Sequence, residues 1–214
     1  MNRKLILFGL SAILLASCGG QEETEENPEA EENTTTQEEV CTYSYDEGST
    51  VLTWTAFKLT EKVGVNGSFD EINVTANDGA EEMMGVLSGA TFEIPVQSVN
   101  SQDEVRDPKI REFFFGKMAE TTSISGEVTS INETEGTVMI KMNGKEVEYA
   151  GDVVVEGEAV TLTLTIDITD FEAQDALDAL GEACAEKHTG PDGVTKFWTD
   201  VDIAVKTTLV KECE

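Results

Sequence analysis

Three sets of residues in this chain have types and spacing that could do chemistry. Cysteines stand at positions 18, 41, 184 and 213, a single histidine at 188, and an Arg106-Asp107 pair precedes an aromatic run. None of them reads as a catalytic centre. With one histidine and widely separated cysteines, a tetrahedral zinc site has no ligand set. The motifs G-x-S-x-G, H-E-x-x-H, C-x-x-C and the phosphate-binding loop are absent. Acidic residues are plentiful but scattered, without a D-x-D-x-D-G calcium loop. The expectation is therefore no catalytic residue, no metal and no cofactor. His188, close to the Gly190-Pro191-Asp192-Gly193 turn, reads as a surface histidine.

Cys18 points to lipid chemistry. Arg3 and Lys4 precede an apolar run from Leu5 to Ala16, too short for a mature membrane helix and patterned as a secretory signal. The run closes on Leu15-Ala16-Ser17-Cys18, which is similar to the bacterial lipobox, whose cysteine is diacylated and becomes the new N-terminus. Several acyl chains on one residue anchor stably, where one alone would be marginal. Residues 1–18 are thus expected to be a lipoprotein signal peptide, placing the protein in the bacterial cell envelope, on the outer membrane, facing either side. Residues 19–39 contain nine glutamates and no lysine or arginine. Such a segment buries too little to fold and would act as an acidic disordered tether, reaching at most roughly 70 Å. Its Gln21-Glu22-Glu23 resembles surface-export signals of some lipoproteins, and reads equally well as a solvated spacer.

Export permits disulfides. Cys41 opens the region 40–214 and Cys213 nearly closes it, so a Cys41–Cys213 bridge would seal a domain whose termini meet and leave Cys184 a free thiol. Cys41–Cys184 stands as the competing pairing. The net charge of −29 becomes −31 without Arg3 and Lys4, and −22 for 40–214 once the nine tether glutamates are also set aside. A surface this acidic repels nucleic acid and anionic headgroups.

The elements that must position these residues are mostly strands. Val51 to Leu59 alternates, with Val51, Thr53, Thr55, Phe57 and Leu59 on one face and Leu52, Trp54, Ala56 and Lys58 on the other. Val65–Thr75, Glu82–Gln97, Thr121–Ile131, Thr137–Met142, Glu146–Val155, Val160–Thr169 and Thr195–Val210 follow as strands, the middle pair joined by an Asn143-Gly144 hairpin turn. Two stretches break this pattern. In Val105–Gly116, Asp107 can cap a short helix and Pro108 suits its first turn, with Ile110, Phe113 and Phe114 on one apolar face. Asp170–Lys187 shifts to helical spacing through Ala173, Ala176, Leu177, Leu180, Ala183 and Cys184. Eight antiparallel strands in meander order can close into a barrel, filled by side chains or holding one small ligand. Closure sets the start of the first strand beside the end of the last, which favours Cys41–Cys213.

The Arg106–Phe115 segment resembles the signature R-D-x-H-L-R-x-x-x-F-F of the YceI family, lipocalin-like barrels associated with polyisoprenoid binding. Ser49–Lys58 is similar to the family's S-x-V-x-W-x-x-x-K first strand, followed by Gly67-Ser68-Phe69; Ser98-Val99 and Ile140–Lys145 match further short patterns. Lys109 stands where the family has histidine, one residue is missing before the phenylalanines, and Ala119-Glu120 replaces a Tyr-Pro. The resemblance implies an all-β, antiparallel eight-stranded lipocalin-like barrel over 40–214, with a short capping helix mid-chain and a longer helix before the last strand. It further implies a non-catalytic, lipid-anchored protein holding an extended amphiphile such as an isoprenoid or fatty-acyl chain. Phe57, Val65, Phe69, Phe113 and Phe114 are the expected wall, and Arg106 either meets the ligand's polar head or pairs with Asp107 to fix the loop. The competing expectation is an interaction or structural module whose barrel is filled solid. Oligomeric state is open.

Overall fold

Alternation of inward apolar and outward polar residues builds most of this protein. In the computed structural model, residues 39–119 and 122–214 are described. The expectations for Cys18, the signal peptide and nearly all of the acidic tether lie outside them. The strands are β1 (Cys41–Tyr45), β2 (Val51–Lys58), β3 (Val63–Phe69), β4 (Asn73–Thr75), β5 (Thr91–Pro95), β6 (Val99–Asn100), β7 (Ser123–Ile131), β8 (Glu135–Met142), β9 (Lys145–Glu156), β10 (Ala159–Asp167) and β11 (Phe197–Cys213). They form one curled antiparallel sheet in the order β4-β5-β7-β8-β9-β10-β11-β2-β3-β6.

At the two ends of that order the chain doubles back. β3 and β4 are consecutive in sequence, as are β5 and β6, and the two segments pair through Phe69 with Val99 and Val74 with Phe92. The long β11 serves three neighbours. Its first part pairs with β2, its middle with β10, and its end with β1, where Cys41 lies opposite Cys213 and the two form a disulfide. Cys184 is a buried free thiol.

The strand count is eleven rather than eight. β1 and β6, of five and two residues, lie outside the expected runs and are too short to show a period. Val65–Thr75, read as one strand, breaks at residues 70–72 into the end of β3 and β4. The run read as one strand over Glu82–Gln97 is instead a helical turn, α1 (Met83–Leu87), followed by β5. Asn77 fixes this switch by donating its amide to the Gly85 and Ser88 carbonyls, while Val86 is fully buried. Asn143 and Gly144 turn β8 into β9 with φ of 50° and 71°, the positive values that a two-residue hairpin demands. Asn143 also ties distant loops together: its side chain accepts from Ala119 N–H and donates to the Phe171 carbonyl.

The mid-chain helical segment comprises α2 (Arg106–Lys109), a π-helical turn over Ile110–Phe114 and a tight turn over Phe115–Lys117. The late one is α3 (Gln174–Ala183) followed by α4 (Ala185–His188). The core fills the concave side of the sheet: Val160, Leu162, Leu164 and Ile166 face inward from β10, and Phe171 is fully buried where the chain leaves it. Burial of each such side chain contributes about 1.5–3 kcal/mol.

Candidate functional site

The mid-chain helical segment is held by a different aspartate from the one its sequence suggests. Asp103 caps it, its carboxylate accepting from the Val105 and Arg106 N–H groups at 3.0 Å each. These backbone donors hold the Asp103 carboxyl below the usual carboxylate range. Asp107 instead turns back to the strand side, accepting from Ser101 N–H at 2.8 Å and from the Ser101 hydroxyl at 2.5 Å. Arg106 consequently pairs with Asp103, at 3.3 Å, and not with Asp107. Arg111 completes the attachment by donating to the Gln97 and Val99 carbonyls.

Beneath this segment lies an apolar cavity of about 240 Å³ between the concave sheet face, the mid-chain helical segment and α3. Its interior end is buried: Trp54, Phe114, Phe115, Met142, Ile166 and Ile168. Trp54 is placed by Gly67 on the neighbouring strand, where any Cβ would overlap the indole, and by a hydrogen bond from its indole N–H to the Ser68 carbonyl. Leu177 and Leu180 of α3, and Cys184 just after it, complete the roof. Trp198 also reaches the cavity, its indole N–H donating to the Leu59 carbonyl.

Of the residues expected to form the wall, Phe57, Val65, Phe69 and Phe114 line this cavity, as does Arg106. Phe113 does not; Phe114 and Phe115 are the buried pair, packed edge to face with ring centroids 5.1 Å apart. The π-turn is the cause. Phe115 N–H is shared between the Arg111 and Ile110 carbonyls, the latter five residues back, and across this widened turn the residues sharing Ile110's face are four and five positions on, not three. Phe57 belongs to the outward set of β2, and Trp54, Ala56 and Lys58 of the opposite set line the cavity with it. Trp54 was legible as the alternate face of a strand; which of the two faces turned inward was not.

Polar groups collect at one end of the cavity: Lys58, Arg106, Lys109, Lys187, Asp103 and His188. Lys109 donates to the Ala183 carbonyl at 2.9 Å, joining the mid-chain segment to the end of α3, where a cation also meets the helix's negative pole. His188 is half-buried rather than a free surface group, stacked on Phe197 at 4.4 Å between centroids. Its Nδ1 is buried with no hydrogen-bond partner among the described residues. Desolvation, then the charges of Lys58, Arg106, Lys109 and Lys187, push its pKa down to about 4. Among the described residues no group of three His, Cys, Asp or Glu side chains is placed to hold a metal ion. The arrangement is that of a pocket with an apolar body and a cationic rim, which can hold an amphiphile.

Comparison with known proteins places this architecture. A protein-family model described as the YceI-like domain matches residues 43–209. A polyisoprenoid binding domain from Saccharophagus degradans, implicated in plant cell wall breakdown, superposes with a TM-score of 0.54 at 15% identity, covering 83% of this chain and 100% of that one. Burkholderia cenocepacia BcnA does so with a TM-score of 0.50 at 14% identity, covering 78% and 99%. At these identities the likeness is one of fold. Over 108 residues, 50% of this chain, there is also 29% identity to a polyribonucleotide nucleotidyltransferase of Corynebacterium glutamicum (strain R), of which the match spans 13%.

Proposed function

We propose, from the premise that this chain belongs to the YceI-like family, that its folded domain is a non-catalytic binding module for an extended amphiphilic lipid such as an isoprenoid or fatty-acyl chain. The observation that carries this reading is the apolar cavity between the curled sheet and the helical segments. The sheet acts as a lipocalin-like barrel, and the segment from Arg106 to Lys117 is its lid. A chain entering the cavity gains about 0.8 kcal/mol for each CH₂ it buries. Phe57, Val65, Phe69 and Phe114 form the wall together with Trp54 and Phe115. At about 240 Å³ the cavity accepts one slender chain, and a longer one requires the lid to shift. The name of the Saccharophagus degradans relative, a polyisoprenoid binding domain, agrees with this ligand class. Residues 1–18 direct export, Cys18 carries the lipid anchor at the outer membrane, and the acidic segment 19–39 links it to the domain.

The test is extraction of the purified protein with organic solvent, followed by mass spectrometry. A stoichiometric single-chain lipid is the expected result. A protein that carries none, and whose tryptophan emission is unmoved by added long-chain lipids, would be the solid interaction module instead.

A further inference from the structure

Binding an apolar chain does not by itself call for the cations at the cavity mouth. The chain holds 14 lysines and arginines against 43 aspartates and glutamates, yet the cavity lining inverts that ratio, with Lys58, Arg106, Lys109 and Lys187 against Asp103 alone. Among the described residues only Arg106 of the four has a carboxylate within ion-pairing distance. Lys109 directs one donor to the Ala183 carbonyl and retains two. Asp103, paired with Arg106 and also within the field of Lys187, is the single carboxylate set against four cations, and the net positive charge left there carries a cost in mutual repulsion that further carboxylates could have relieved. A wholly apolar or uncharged ligand would leave that cost in place. The buried, unpartnered Nδ1 of His188 sits among the same charges. Lys196, outside the lining, sets its Nζ 3.6 Å from the centroid of the lining residue Trp198.

The geometry points to an anionic head group, a carboxylate or a phosphate, on the single-chain amphiphile that the cavity holds, with its charge received by Lys58, Arg106, Lys109 and Lys187. This rests on the lipid-binding reading above and specifies its ligand class. The tail lies inward among Trp54, Phe69 and Phe114, and the head stays at the rim. The protein's net negative charge opposes such a head in general, so this cationic cluster is also where an anionic amphiphile is drawn in and oriented.

Both tryptophans of the chain, Trp54 and Trp198, line the cavity, so intrinsic fluorescence reports occupancy. The purified protein is titrated separately with hexadecanoate, hexadecyl phosphate, hexadecanol and inorganic phosphate. The two anionic amphiphiles are expected to bind at least about tenfold tighter than the alcohol, equivalent to about 1.4 kcal/mol. That preference should shrink in about 0.5 M salt. The double substitution Lys58→Gln, Lys109→Gln is expected to bring the acid-to-alcohol affinity ratio close to one. If that variant misfolds it loses the alcohol as well, and Lys187→Gln, at an exposed position, then serves, with an expected fall in the ratio of about threefold. Equal affinities for acid, phosphate ester and alcohol overturn the head-group assignment and leave lipid binding standing. If no amphiphile binds, the lipid reading falls and takes this one with it. Inorganic phosphate binding as tightly as hexadecyl phosphate overturns it too, because the site would then be an anion site without a tail.

Discussion

Lowering the pH from about 7.5 to about 4.5 is expected to destabilise the fold through His188, and the size of the loss follows from where the ring sits. In the unfolded chain the imidazole takes up its proton near 6.5; in the folded protein it stays neutral down to about 4, first because burial disfavours the cation and then because four cations face it. Between those values the unfolded state binds more protons, so stability falls as pH falls through that window and this group has no effect above it. About two tenfold steps lie between 6.5 and the assay's lower pH, so at about 1.36 kcal/mol per step the ceiling is about 2.7 kcal/mol. A half-buried ring is partly screened by solvent, which brings the expected loss to about 1–2 kcal/mol. The assay is urea unfolding of the wild type and of His188→Phe at both pH values. Phenylalanine can keep the stack on Phe197 and removes both the titration and the orphan Nδ1. Comparing the two proteins cancels the carboxylates, such as Asp103 and Asp167, whose lowered pKa values also cost stability on acidification. The variant's advantage should grow by about 1–2 kcal/mol from the higher pH to the lower. A difference that stays constant across the window would refute the reasoning, since the imidazole would then titrate alike in both states.

Two further outcomes are expected. Gly67→Ala drives a Cβ into the Trp54 indole, against which β3 has no slack, and should lower stability by about 1–3 kcal/mol with a shift in tryptophan emission; urea unfolding and fluorescence together check it. Cys18→Ala should move the protein from the membrane to the soluble fraction of cells, and a variant that remained with the membrane would remove the lipid anchor from the proposal.

The sheet was legible because its strands carry their own signal. β8 and β10 alternate inward and outward along their whole length and β2 over its first half, and the Asn143-Gly144 turn needs no tertiary help to be read. What escaped was local structure decided by distant partners. β1, β4 and β6 are strands only because β11, β5 and β3 lie beside them. The turn at Met83–Leu87 resembles a strand in composition and is helical because Asn77 clamps its carbonyls and Val86 is drawn into the core. The cationic rim was illegible for a similar reason. Lys58 ends a strand, Lys109 sits on the mid-chain helix and Lys187 on a late one, so only folding gathers them. Arg106 was expected at the ligand's head and Lys109 stood out as a departure from the family pattern, while Lys58 and Lys187 went unmarked; Arg106 pairs with Asp103, and Asp107 is engaged by Ser101.

The π-turn connects these observations. In an unbroken α-helix continuing from Arg106, the face presented by Ile110 would return at Phe113 and Phe114. The extra residue in the turn over Ile110–Phe114 advances that face by one, so Phe114 and Phe115 are buried and Phe113 is left aside. Lys109 and Arg106, upstream of the turn, keep their α-helical placement at the cavity mouth. One local irregularity thus lets a single short segment offer two aromatic rings to the cavity interior and two cations to its rim. A π-turn forms fewer well-aligned hydrogen bonds than an α-turn and persists where packing favours it. Here the packing is the Phe114–Phe115 pair and the contact of Phe69 with Phe115, at 6.3 Å between centroids. If a longer chain enters, those same rings are what it must displace, and the irregular turn is where the lid can give without breaking the Asp103 cap or the Lys109 tie to α3.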